Sequence, residues 1–265
     1  MSWTIHRVGL VTHDLVAATQ FFGTQLGLGA PRRHGEDTLA FGPGSRGLRV
    51  TRPAAALARQ GAAVLGPITA RHVAIEVADL DGIAGRLARA GLPCLAATAA
   101  EFDTPALWTL DPAGNVVAFC QAGPAATGMG WEIHHVNLQA GDVRAAVAFY
   151  TGIAGLPEGR WEAPAARGSF SIDPAELAVI DAGGANRGLH IIRPDAGFAL
   201  RNGFAHNPSI GGHPAFCVPD VRTVKGRLEA AGITVSDAGV YAMAGMHQIY
   251  VQDPTANMIE VNQRV

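Results

Sequence analysis

The stretch Trp131-Glu-Ile-His-His-Val-Asn-Leu-Gln139, carried on through Asp142, Phe149-Tyr150 and Gly155-Leu156, has a counterpart between Ile5 and Leu28. Each reads as a strand, an Asp, a helical pattern with an aromatic pair, and a glycine. The register holds without a gap: Asp142 precedes Gly155 by thirteen residues, as Asp14 precedes Gly27, and Phe149-Tyr150 falls on Phe21-Phe22. A shorter version opens at His72-Val-Ala-Ile-Glu-Val-Ala-Asp79 and again at His213-Pro-Ala-Phe-Cys-Val-Pro-Asp220, with a glycine twelve residues after each Asp, Gly91 and Gly232. A helix ending in a left-handed cap needs a glycine there. Each short copy closes with a strand after a turn, Asp111-Pro-Ala-Gly-Asn115 or Asp253-Pro-Thr-Ala-Asn257. The aspartates at the strand-to-helix junctions, Asp14, Asp79, Asp142 and Asp220, are placed as helix N-caps, which removes them as catalytic candidates.

A repeat found four times sets the architecture, because two such units are needed to bury one sheet face. The predicted fold is α+β, two homologous halves each of two βαββ-type units. Gly123-Pro-Ala-Ala-Thr-Gly-Met-Gly130 lacks apolar periodicity and separates the second copy from the third. The domains are therefore expected at 1–122 and 131–265, with 123–130 as linker. A chain of 265 residues with 48% hydrophobic side chains can bury a full core. Twenty basic against 22 acidic residues, a net charge of −2, leave no field that collects phosphates, so nucleic acid is not an expected partner. Three distant cysteines, none in a CxxC pair, point to a reducing, cytoplasmic setting. Neither a signal peptide nor an 18-residue apolar run is read in the sequence, so no membrane is expected.

Alternate residues of a strand face opposite sides, so parity sorts the helix-packed face from the other. Val136, Leu138 and Ala140 take the packed face, leaving His135, Asn137 and Gln139 on the other; His134 has the packed parity, as does His6 in the first copy. Phe216 and Val218 go inward and leave His213 outward. Ile259 and Val261 do the same for Glu260 and Asn262, and Ile249 and Val251 for Gln248 and Tyr250. His135, His213 and Glu260 thus converge on one surface. At the same registers the N-terminal half has Arg7, His72 and Ala118, which cannot hold a divalent ion. Two imidazoles and one carboxylate from separate strands, with coordination positions left open, suit a non-haem Fe(II) that must bind substrate and dioxygen. Mn, Zn, Ni and Co are compatible on ligand type alone.

These residues resemble the vicinal oxygen chelate superfamily, the group of glyoxalases, bleomycin-resistance proteins and extradiol dioxygenases. The resemblance spans nearly the whole chain. It rests on the openings Ile133-His134-His135-Val136-Asn137-Leu138 and His213-Pro214-Ala215-Phe216, the helix ending Phe149-Tyr150, and the closure Tyr250-Val-Gln-Asp253-Pro-Thr-Ala-Asn-Met-Ile-Glu260-Val-Asn. In layout the chain looks like the two-domain type I extradiol dioxygenases. The resemblance implies tandem βαβββ modules, four repeats forming two domains with curved mixed sheets. It also implies one divalent ion per chain, first of all Fe(II), on His135, His213 and Glu260, and a Tyr250 that hydrogen-bonds a substrate oxygen beside it. The family signature also carries a His six to eight residues before that Tyr, where this chain has Tyr-Ala-Met-Ala at 241–244; His247 is three residues before it, on the opposite face by parity.

Two further histidines are catalytic candidates with Tyr250. Arg187-Gly-Leu-His190-Ile-Ile-Arg193-Pro194 matches Arg46-Gly-Leu-Arg49-Val-Thr-Arg52-Pro53, which puts His190 on the strand closing the third unit. It reads as a fourth ligand, as an acid or base beside the metal, or as packing. His206 lies in a polar, Gly-rich loop just before His213 and is read as a lid residue. The function expected from the resemblance is extradiol-type ring cleavage of a catechol-like small molecule with O2. The alternatives are a glyoxalase-type isomerase, epimerase or lyase acting on a carbonyl substrate, and a binding protein without turnover. A homo-oligomer is compatible with each.

Overall fold

The computed structural model describes residues 3–44, 46–52, 72–97, 104–110, 116–122, 129–162, 172–184, 186–202, 212–240, 243–252, 254 and 258–265. The chain divides into two compact units, one built mainly from Ser2–Gly130 and the other from Trp131–Val251 with Met258–Val265. In the first, β1 (Thr4–Val11), β2 (Arg32–Arg33), β3 (Thr38–Phe41), β4 (Gly47–Thr51), β5 (His72–Val77), β6 (Leu95–Ala96), β7 (Ala106–Leu110) and β8 (Val116–Gln121) make one mixed sheet. Its order is β2-β3-β4-β1-β5-β8-β7-β6. In the second, β9 (Glu132–Gln139), β10 (Leu177–Asp181), β11 (Gly188–Ile192), β12 (Pro214–Cys217), β13 (Ser236–Gly239), β14 (Met246–Gln252) and β15 (Met258–Arg264) follow the order β10-β11-β9-β12-β15-β14-β13.

The fold class read from the repeat is the one observed. Three modules run strand, helix, three strands; the third has a single bridge, Glu158 to Ile180, in addition to β10 and β11. The opening strands of paired modules lie side by side and antiparallel, β1 on β5 and β9 on β12, each flanked by the parallel closing strand of its own module. All four junction aspartates cap their helices: Asp14 accepts from the Val16 and Ala17 amides, Asp79 from Gly82, Asp142 from Ala145, and Asp220 from Arg222 and Thr223. Gly91 and Gly232 stand at φ +65° and +74° just past their helices, a region costly for any residue with a Cβ. The helices Leu80–Arg89 and Val221–Ala230 bury Leu80, Ile83, Leu87 and Val221, Val224, Leu228, one stripe at helical spacing against the sheet.

The helices of the first and third modules widen into π-turns at Thr19–Gln25 and Phe149–Ile153. There the consecutive aromatics Phe21-Phe22 and Phe149-Tyr150 are all buried, edge to face with ring centroids 4.9 and 5.1 Å apart. One expectation is corrected by the strands themselves. The pairing of β1 on β5 skips from Ile5 to Arg7, and that of β9 on β12 from Ile133 to His135, so His6 and His134 are bulge residues. A bulge inserts one residue and breaks the alternation. His134 therefore does not share the setting of Val136, as simple parity required. No described helix is long and apolar enough to cross a membrane.

Candidate metal centre

Strand β12 lies between β9 and β15, and Ala215 on it faces His135 on one side and Glu260 on the other. Its methyl group is small enough for the two longer side chains to meet above it. His213 enters from the residue before β12, where its carbonyl accepts the Asn137 amide at 2.8 Å. Gly212 permits that approach: a Cβ there would sit 2.6 Å from the Asn137 carbonyl oxygen. The sheet thereby brings together the three residues that parity converged. His135 Nε2 and His213 Nε2 lie 3.4 and 3.2 Å from Glu260 Oε2, and all three ligand atoms fall within 4.8 Å of one another. All three residues are buried, and among the described residues this is the only such group.

Burial alone would raise the pKa of Glu260, but His135, by charge and hydrogen bond, and then His213 outweigh it and hold the carboxyl well below its usual range. A buried carboxylate facing two imidazole nitrogens is a donor set for a borderline divalent cation. Asn137 supports the same fit. It is 4% exposed, its Nδ2 lies 3.2 Å from His213 Nε2, and its Oδ1 has no hydrogen-bond partner among the described residues. Both amide atoms of fully buried Asn262, two residues beyond Glu260 on the same face, are likewise unpartnered there. Such groups are costly to bury unless a polar group meets them.

Around this set the side chains hold one another in fixed roles. Gln248 Nε2 donates to Glu260 Oε1 at 2.8 Å and to the Tyr250 hydroxyl oxygen at 2.9 Å, while its Oε1 accepts the Met243 amide at 3.3 Å. That last bond fixes which end of the amide is which. Glu260 is left with Oε2 for the histidine side, and the Tyr250 hydroxyl oxygen accepts from Gln248. The Tyr250 ring stands edge-on to His213 with centroids 6.0 Å apart. Parity placed Gln248 on this face; nothing in the sequence gave it a role, because an amide carries no chemistry of its own to single it out.

His190 is fully enclosed, its ring stacked on that of His135 at 4.0 Å and 20°. It is not grouped with the three ligand atoms. Its Nε2 donates to the Asn186 carbonyl at 2.7 Å, which leaves Nδ1 as the acceptor. Burial, then the charge of His135, depress its pKa well below the usual imidazole value. Asn186 holds that carbonyl from a left-handed backbone, φ +56°, and its side-chain amide pairs with both the N–H and the C=O of Glu162. Trp161, next to Glu162, packs edge-on to His190 at 5.0 Å.

His134 Nδ1 lies 3.0 Å from His135 Nδ1, and burial first, then the charge of His135, lower its pKa to about 3. His247 points away from the centre, as its parity required, and bonds Asp237 at 2.8 Å. His206 and most of the Asp253–Asn257 turn lie outside the described residues.

The family model described as Glyoxalase/Bleomycin resistance protein/Dioxygenase superfamily matches residues 132–261. No curated protein matches the sequence. Among solved structures, a halotolerant catechol dioxygenase is similar over 99% of this chain and 87% of its own, with a TM-score of 0.69 and 18% identity. The 2,2',3-trihydroxybiphenyl 1,2-dioxygenase of dibenzofuran-degrading Sphingomonas wittichii is similar over 99% and 91%, with a TM-score of 0.66 and 11% identity. The Mn(II)-bound glyoxalase of Novosphingobium aromaticivorans is similar over 99% and 81%, with a TM-score of 0.64 and 15% identity. At these identities the likeness is one of fold, and it takes in both halves of the chain.

Proposed function

Because residues 132–261 belong to the glyoxalase, bleomycin resistance protein and dioxygenase superfamily, we propose that the chain is a metal-dependent enzyme that opens the ring of a catechol-like small molecule with dioxygen, in the extradiol manner. The observation that carries this reading is a buried two-histidine, one-carboxylate set with the Tyr250 phenol and the His190 imidazole beside it. His135, His213 and Glu260 would hold Fe(II), which when bound supplies open positions for a vicinal diol and for O2. Gln248 occupies Glu260 Oε1, so the carboxylate offers one oxygen. Tyr250 directs its hydroxyl proton to a substrate oxygen, stabilising the charge that develops there. His190, whose Nε2 is committed to Asn186, would present Nδ1 as a hydrogen-bond acceptor to the diol.

Gln248 also motivates a second reading. An amide cannot shuttle a proton, and it is this amide, in place of an added histidine, that bridges Tyr250 and Glu260. That favours polarisation of a carbonyl substrate without O2, as in a glyoxalase-type isomerase or lyase. Anaerobic loading with Fe(II), followed by O2-uptake assays on a panel of catechols, tests the first reading: uptake of one O2 per diol, with ring-opened product, is expected. No uptake with Fe(II), together with turnover of a hemithioacetal or 2-oxo substrate on Mn(II), Ni(II) or Zn(II), would replace it with the second.

A further inference from the structure

We propose that His134 is a positioning residue, whose Nδ1 accepts the Nδ1–H of His135 and locks that ring in the tautomer that leaves Nε2 free for a metal ion. The inference rests on the metal-centre reading above. Two Nδ1 atoms 3.0 Å apart must share a single proton, since two lone pairs repel and two N–H groups collide. His135 Nε2 faces Glu260 Oε2, and once it gives its lone pair to an ion the only proton left on that ring is at Nδ1. His134 must then accept at Nδ1 and carry its own proton on Nε2. The two rings cross at 82°, while His190 stacks on His135 at 20°, so His135 is held by one imidazole at its edge and another on its face.

The first unit shows that the bulge does not dictate this contact. His6, in the same bulge, places Nδ1 3.2 Å from Glu76 Oε1, and Glu76 also takes Arg46 and Thr4. In the second unit Cys217 stands in the place of Glu76, and Arg187, the counterpart of Arg46, bonds Glu132 at 2.9 Å, where Arg264 joins it. With the carboxylate moved to another strand, the bulged imidazole turns to its neighbour. Metal-bound histidines commonly hold their second nitrogen on a carboxylate or a carbonyl, and an outer partner of this kind is worth about 10–100-fold in metal affinity.

Two measurements test the assignment. In the 15N-labelled full chain loaded with Zn(II), imidazole correlation spectra should report His135 protonated at Nδ1 and His134 at Nε2; a His134 carrying its proton on Nδ1 with Zn(II) bound would overturn it, whatever the variants do. By competition titration, His134→Phe should bind Zn(II) about 10–100-fold more weakly than wild type, and His134→Asn, whose Oδ1 restores an acceptor near the same place, should recover most of that loss. The metal-free melting temperatures of the two variants should not follow this order, because packing alone does not distinguish them by their acceptor. Unchanged affinity in His134→Phe beside a tight-binding wild type defeats this inference and leaves the metal centre standing. A wild-type chain that takes up no Zn(II), or a Glu260→Ala chain that binds as wild type does, defeats the metal centre and this inference with it.

Discussion

In the second unit, imidazole, imidazole and carboxylate meet above Ala215; in the first, Arg7, His72 and Ala118 occupy the same registers beside Ala74. Arg7 Nε donates to His72 Nε2 at 3.1 Å, which sets a fixed cation beside the imidazole nitrogen that a metal would need. Trp108 stands where the second unit has Tyr250, and packs edge-on to His72 at 4.9 Å. Ala106 and Cys120 replace Gln248 and Asn262, and with Ala74, Trp108, Val116 and Ala118 they form one buried apolar cluster. The same face of the same sheet is a core in one half and a ring of polar groups in the other. Helix-facing residues, caps and turns build the fold, and the opposite face is free to become either.

The contrast breaks most readily at Glu260. Glu260→Ala should lower divalent-metal affinity by more than the roughly 100-fold assigned to an outer partner, measured by metal analysis after dialysis, and full occupancy would end the comparison. Trp108→Ala should destabilise the first unit by about 3–5 kcal/mol through the cavity it opens while metal content stays unchanged; a loss of metal with no loss of stability in denaturant titrations would reverse the roles of the two faces. Tyr250→Phe should keep the ion and lose about 3 kcal/mol of transition-state stabilisation, on the order of 100-fold in kcat; unchanged kinetics would reduce Tyr250 to a packing residue like Trp108. Gln248→Leu should weaken metal binding by about tenfold, read by competition titration, since Glu260 Oε1 loses its donor; unchanged affinity would make Gln248 a packing residue like Ala106. The smallest effect concerns acid. His6 by hydrogen bond, with Arg46 and Thr4, outweighs burial and lowers the pKa of Glu76 from 4.5 to about 2. A depressed carboxylate stabilises the folded state above its unfolded pKa and loses that contribution as pH falls towards the folded one. Acid unfolding of the first unit should therefore steepen between pH 4.5 and 2, and Glu76→Gln should flatten that limb.

Much of this was legible in the residues. The fourfold register predicts the modules, the caps and the sheets, because each depends on local patterns that recur. Parity brings His135, His213 and Glu260 to one face, since alternation survives wherever strands pair regularly. It failed at His134 because a bulge shifts the alternation by one residue and leaves no mark in composition. Gln248 and Asn186 went unread for a different reason. Their importance lies in which atoms they bridge, and an amide announces neither its flip nor its partners. His190 was found only through its match to Arg49, and the choice among ligand, base and packing needed the Asn186 carbonyl to show which nitrogen is spoken for.

That carbonyl has a mechanical consequence. Asn186 clasps the backbone of Glu162 with two hydrogen bonds, so it acts as a latch on the segment that carries Trp161. Its left-handed backbone, a conformation that asparagine adopts more readily than most residues with a side chain, sets that carbonyl towards His190. A substitution at Asn186 would therefore disturb two anchors at once, the carbonyl that holds His190 and the amide that holds Glu162.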